Sequence, residues 1–189
     1  MQDADASDGD LAARALAGED RAFTLLMRRT KQPLYRFACR HIGNDDLAYD
    51  MVQQAFVSAW RSLRSYDPAY PFETWMRTIV RNKCRDEQRK ARVRRWITLS
   101  PVANSGVQLD APHEAADPER VTTERDELER AREAISALPD GLKTPLILTA
   151  LEGLTMSEAA RELGLTEKAV ENRLYRARKR LAETLKRTR

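Results

Sequence analysis

Thr155-Met-Ser-Glu-Ala-Ala-Arg-Glu-Leu-Gly164-Leu-Thr-Glu-Lys-Ala-Val170-Glu-Asn-Arg-Leu174 reads as a helix, a tight turn and a second helix. Thr155 and Glu158 have capping-box spacing, so the hydroxyl can take one free helical N–H while the carboxylate reaches back to another. Ala160 is small where a second helix must cross closely. Gly164 follows the first helix at a point that favours a left-handed residue. Thr166 can cap the second helix. Val170 and Leu174 share the face that packs back on the first helix. Lys168, Glu171, Asn172, Arg173, Arg176 and Arg178 are left pointing outward. Such a face suits the major groove of DNA, where side chains bond base edges and cations meet phosphates. The plainer alternative is a helical hairpin with a solvated charged face.

Working outward, the charge distribution supports the groove reading. The 189 residues carry a net charge of +4 with a pI near 9.2, which alone is only mildly basic. Nine basic residues lie between Arg77 and Arg95, opposed only by Asp86 and Glu87, and nine more between Lys168 and Arg189. Between these blocks, residues 99–127 hold seven acids against Arg120 and Arg125. Two basic blocks separated by an acidic strip suggest two contacts with a polyanion and a spacer that avoids it. Cys39 and Cys84 make no disulfide framework, so a reduced cytosolic setting is the default. The acidic N-terminus is not a secretory signal, and no apolar run approaches the ~18 residues of a membrane span.

The rest of the chain reads as helices. Residues 1–9 are expected to be unstructured, and Asp10 to cap a first helix ending near Leu16. A second helix runs from about Asp20 to Ile42, with Pro33 either a kink or a start. A third, from about Asp45 to Leu63, carries the apolar stripe Met51, Val52, Ala55, Phe56, Ala59, Trp60 and Leu63. A fourth begins near Phe72 and continues into the basic block. Residues 97–117 read as a linker. Asp117-Pro118-Glu119 signals the next helix start. That helix ends near Leu138-Pro139, and another spans about Leu142–Leu151. No segment alternates with period two over a convincing length. The expected fold is all-α: two small bundles, 10–96 and 118–187, joined by a flexible acidic linker.

In the first bundle, aromatics meet cations. Tyr66, Tyr70, Phe72 and Trp75 are followed at once by Arg77, Arg81, Asn82, Arg85 and Arg89. Aromatic faces stack on unpaired bases, at ~1–3 kcal/mol each, while neighbouring cations hold the backbone. Asn82 offers a donor and an acceptor to a base edge. This combination suits capture of bases from an opened duplex. The competing reading puts Phe72 and Trp75 in the core. On the third helix, Asp50, Gln53 and Gln54 form a polar ridge beside the apolar stripe, for which a solvated surface is the usual explanation.

Three stretches together resemble the bacterial extracytoplasmic-function sigma factors, the small group-four members of the sigma-70 family. They are Gly43 to Trp60 with its Asp50-Met-Val-Gln53-Gln54, Phe72-Glu-Thr-Trp75 through Asn82 to Asp86, and the hairpin ending in Arg173-Leu-Tyr-Arg-Ala-Arg178. The resemblance covers about 10–96 and 118–186. It implies a promoter-specificity subunit of RNA polymerase with no cofactor, no metal and no catalytic residue. The first bundle would be sigma region 2 and the second sigma region 4. Asp50, Gln53 and Gln54 would bind the clamp helices of the largest polymerase subunit. Tyr66, Phe72, Trp75, Arg77, Arg81, Asn82, Arg85 and Arg89 would recognise the melted −10 element, and the hairpin would read the −35 element. The linker would thread the polymerase, its acidity imitating a nucleic-acid strand in a basic channel. An anti-sigma factor is an expected partner, and membrane insertion is not. Tyr49 and Gln54 depart from the pattern, standing where the family often has acids, which shifts the clamp contact toward hydrogen bonding and Asp50.

Two other classes compete. A free-standing helix-turn-helix regulator predicts duplex binding without polymerase, to a palindromic site. A nucleic-acid enzyme needs nucleophiles, metal ligands or a phosphate loop. His41 and His113 lie far apart without an HxxxH partner, and there is no GxxxxGK[ST].

Overall fold

A computed structural model describes the backbone of residues 6–99 and 121–187, and the side chains of residues 6–94 and 126–187. Every regular element among the described residues is helical. The first four helices are α1 (Asp8–Leu16), α2 (Asp20–Ile42), α3 (Asp45–Ser62) and α4 (Phe72–Leu99), with a short 3-10 turn at Leu63–Ser65. The second group is α5 (Val121–Ser136), α6 (Asp140–Leu146), α7 (Met156–Leu163) and α8 (Glu167–Arg187), with a π-helical segment at Ile147–Leu151 after α6.

The first helix starts earlier than its sequence suggests. Ser7, not Asp10, is the N-cap, and its hydroxyl accepts from the Asp10 amide at 3.1 Å. Asp8, expected to be unstructured, is anchored from two sides. Its carboxylate accepts the Phe72 N–H at 3.1 Å and pairs with Arg29. Pro33 neither starts nor interrupts α2, which runs through it. Helix α3 is capped by the Asn44 side chain, which accepts the Leu47 N–H at 2.8 Å. Helix α4 extends through Leu99, so residues 97–99 are helical rather than linker. The remainder of the expected linker, and the helix start at Asp117-Pro118-Glu119, lie outside the described residues.

Helices α1 to α4 enclose one core. Leu11, Leu26, Leu34, Phe37, Val52, Phe56, Phe72, Met76 and Val80 are buried there. A smaller core in the second group joins Leu142, Ile147, Leu148, Ala160, Val170 and Leu174. The two cores are continuous, because the second bundle packs on α2 through α5 and the π segment. Gly43 sits at this junction. Its φ of 72° is the left-handed cap of α2, and a Cβ there would lie 2.9 Å from the Cβ of Ser136. A glycine is therefore required twice over: for the backbone turn and for the close approach of α5.

Candidate DNA- and polymerase-binding surfaces

The hairpin forms as its residues dictate. Thr155 caps α7 by accepting the Glu158 N–H at 3.2 Å, and Glu158 accepts the Thr155 N–H at 2.8 Å. That N–H, together with the Thr155 hydroxyl, holds the Glu158 carboxyl below the usual carboxylate range. Gly164 is left-handed at φ 63°, and the Thr166 hydroxyl accepts the Ala169 N–H at 3.2 Å to start α8. Val170, Leu174 and Ala177 turn inward. Lys168, Glu171, Asn172, Arg176 and Arg178 are exposed, and Arg173 is half-buried. Lys168 bonds Glu171 at 2.9 Å, which raises the lysine's pKa. One turn further, Tyr175 is 71% exposed between the arginines, a ring the outward-facing set did not include.

The aromatic loop is more tightly packed than a surface for stacking bases. Phe72 is fully buried and Tyr66 nearly so. Their ring centroids are 5.3 Å apart, and each lies 5.5 Å from that of Trp75. Tyr66 donates its hydroxyl to the Tyr70 carbonyl at 2.7 Å, and burial pushes its pKa up. Phe72 is thus a core residue, the plainer of its two readings. Its place above Phe23, rather than an exposed face, is what the aromatic spacing encodes. Trp75 is half-buried and lines a cavity of about 460 Å³ with Tyr70, Pro71, Thr74, Arg77 and, from α7, Glu162.

The cations of α4 divide by position. Arg77, expected to meet the opened strand, is only 9% exposed. Its Nε lies 3.0 Å and its Nη2 2.7 Å from the two carboxylate oxygens of Glu162, and its Nη1 lies 2.7 Å from Glu73. Burial pulls the Arg77 pKa down, but the hydrogen bond and charge of Glu162 more than offset it, and the net shift is upward. Arg81 and Asn82 are half-buried, while Arg85 and Arg89 are exposed. Arg89 pairs with Asp86 at 3.4 Å.

On α3, Asp50 and Gln54 are exposed and Gln53 is half-buried, together forming a ridge as their spacing requires. Beside it lies an apolar groove lined by Phe23, Met27, Phe56, Val57 and Trp60. Trp60, read as part of the buried stripe, is 44% exposed there. Sequence periodicity put it on the stripe's edge and could not tell edge from core.

Among the described residues, no three His, Cys, Asp or Glu side chains gather to hold a metal ion, and no helix is long and apolar enough to cross a membrane. The α8 face, the α4 cations and the α3 ridge have the chemistry of polyanion and protein contact.

That combination defines a helical module with separate surfaces for nucleic acid and for protein. Residues 26–94 match the family model for sigma-70 region 2, and residues 128–181 that for sigma-70 region 4. The RNA polymerase sigma factor CnrH of Cupriavidus metallidurans is 38% identical over 95% of this chain and 94% of its own length. The ECF RNA polymerase sigma factor SigM of Mycobacterium tuberculosis is 30% identical over 95% of this chain and 85% of its own. Among solved structures, CnrH in complex with the cytosolic domain of CnrY superposes with a TM-score of 0.63 at 33% identity, covering 93% of this chain and 95% of that one. The sigma factor RpoE of Bartonella quintana, in complex with the anti-sigma factor NepR, gives 0.61 at 25%, covering 88% and 98%. The chain belongs to the extracytoplasmic-function sigma factors of the sigma-70 family.

Proposed function

We propose that this chain directs core RNA polymerase to promoters by dividing recognition between its two bundles. Residues 10–96 bind the polymerase and the melted −10 strand, residues 118–187 read the −35 duplex, and residues 97–117 connect them. The observation that carries this reading is the α8 face. Lys168, Glu171, Asn172, Arg173, Arg176 and Arg178 lie along one helix over a packed hairpin, with the dimensions and donors of a major-groove reader. On α4, Arg81, Asn82, Arg85 and Arg89 supply phosphate and base contacts for the opened strand. Trp75 and Arg77 join them when α7 is displaced, while Tyr66 and Phe72 hold the loop's shape from beneath. Asp50, Gln53 and Gln54 take the clamp helices of the largest polymerase subunit.

No residue is assigned a catalytic role; the chemistry belongs to the polymerase. The chain works where that enzyme works, in the cytoplasm. An anti-sigma factor controls it, a reading supported by the two similar structures, each of which is a complex with a protein partner. The test is run-off transcription with purified core polymerase, in which the chain should confer start-site selection that core lacks. A free-standing regulator would instead bind its duplex site tightly without polymerase.

A further inference from the structure

The loop between α3 and α4 does little to hold its own shape. Residues 67–71 are all exposed, and Pro68 and Pro71 carry no N–H to bond. Within it, the Tyr70 N–H donates to the Asp67 carbonyl at 3.1 Å and the Ala69 N–H to Asp67 Oδ1 at 2.9 Å. The Tyr66 hydroxyl holds the Tyr70 carbonyl from beneath. Further support comes from a segment distant in sequence, the first turn of α1.

Two contacts supply it. Phe72 opens α4, where the first helical N–H groups lack an acceptor in their own helix. Asp8 Oδ2 accepts the Phe72 N–H at 3.1 Å, so a carboxylate from one helix caps another. Its other oxygen faces Arg29 at 3.3 Å, and Arg29 also donates to the Ala6 carbonyl at 2.7 Å, which ties this segment to α2. Gly9 meets Pro68 so closely that a Cβ at Gly9 would lie 2.9 Å from the Cβ of Pro68. Behind these contacts, Leu11, Ala12 and Ala15 bury the inner face of α1 in the first core, so the turn is firmly seated. The capped peptide also has a special place. It lies between exposed Tyr70 and half-buried Trp75, and the directions of both rings depend on it.

We propose that the first turn of α1 is a template for the strand-capturing loop, with Asp8 a positioning residue that acts through the loop rather than by touching DNA. The carboxylate fixes the peptide from which Tyr70 and Trp75 diverge, and Gly9 lets Pro68 close against the α1 backbone. The role in capture rests on the assignment of α4 and its loop to the opened strand; the hold of α1 on the loop does not. A loop shaped for only part of the time captures bases with an affinity reduced by that fraction.

The tests use the full chain, alone and with core polymerase. Amide hydrogen exchange of the free chain reads the loop. Asp8→Ala should speed exchange of the Phe72 N–H by at least roughly fivefold, the factor implied by loss of one capping contact. The α8 amides should keep wild-type rates. Promoter opening is read by the fluorescence of an aminopurine base in the −10 non-template strand of a fragment that the wild-type holoenzyme transcribes. Asp8→Ala should lower the opened fraction by at least about twofold, with polymerase affinity unchanged. Asp8→Asn, which keeps an acceptor oxygen for the Phe72 N–H but not the charge, should restore both readouts. Gly9→Ala separates positioning from stability. Alanine favours the helix while its methyl displaces Pro68, so opening should fall although the α1 amides stay as protected as in the wild type. The proposal is overturned if Asp8→Ala leaves Phe72 exchange or promoter opening at the wild-type level, if Asp8→Asn is as defective as Asp8→Ala, or if Gly9→Ala opens promoters as the wild type does. A wild-type chain that transcribes no template, while Phe72 exchange still responds to Asp8, would remove the promoter-reading role and leave the hold of α1 on the loop standing.

Discussion

His41 and Lys143 show how burial at the junction sets titration. His41 is 1% exposed, its Nε2 has no partner, and its Nδ1 lies 3.8 Å from Asp140. Burial first, then the positive charges of Lys143 and Arg81, lower its pKa to about 3. The folded chain therefore refuses a proton that the unfolded chain accepts below about 6.5. Stability from this residue is complete above that value and falls as pH drops toward 3, by up to ~1.4 kcal/mol per unit. Urea denaturation at pH 7 and pH 5 should show the wild type losing about 2 kcal/mol relative to His41→Leu. An identical pH response in both chains would mean that His41 is open to water. Lys143 is held at about 8, chiefly by burial against the opposing pull of Asp140. Below that value the cost of burying its charge is present in full, and it is relieved as pH rises from about 8 toward the unfolded value near 10.4. Cys84 is inert for a similar reason, since burial pushes its thiol up to about 12.

At the scale of elements, the hairpin was legible almost residue by residue. Thr155, Glu158, Gly164 and Thr166 act locally, and local geometry is what sequence spacing encodes. Thr155→Ala should cost about 1 kcal/mol of stability in chemical denaturation, since it removes the acceptor for the Glu158 N–H. A loss within error would mean that the cap is replaced by water. On α8, Arg173→Ala or Arg176→Ala should weaken promoter binding by ~1–3 kcal/mol and relax sequence preference at one position, if each reads a base. Unchanged affinity and preference for both would dismiss the assigned face. Elements that depend on distant partners were less legible. The start of α1 is set locally by the Ser7 cap, but the anchoring of its first turn depends on Asp8 contacts to Arg29 and Phe72, more than twenty and sixty positions away. The π segment closes through the Glu152 N–H to the Ile147 carbonyl at 2.9 Å, an irregular turn that apolar periodicity reads only as continued helix.

At the scale of the whole molecule, the two-bundle architecture followed from the helix count and the acidic break, but the docking of one bundle on the other did not. Arg40, Arg77, Glu152 and Glu162 look in sequence like any solvated charge, and only the fold pairs them across 85 to 112 positions. Phe72 is the converse case: an aromatic in a suggestive place that the core claims. The proposed polymerase surface is similarly a property of the assembled fold, since the α3 ridge borders a groove that α2 and α3 line together. Asp50→Ala should abolish co-purification with core polymerase while leaving −35 duplex binding intact; retained polymerase binding would move the clamp contact elsewhere.

Initiation in a purified system bears on the account most directly. Core polymerase, a library of promoter fragments and this chain should together yield transcripts from a defined subset of templates, each starting at a fixed position, and none of these should form with core alone. Transcripts whose pattern is the same with and without the chain would contradict it.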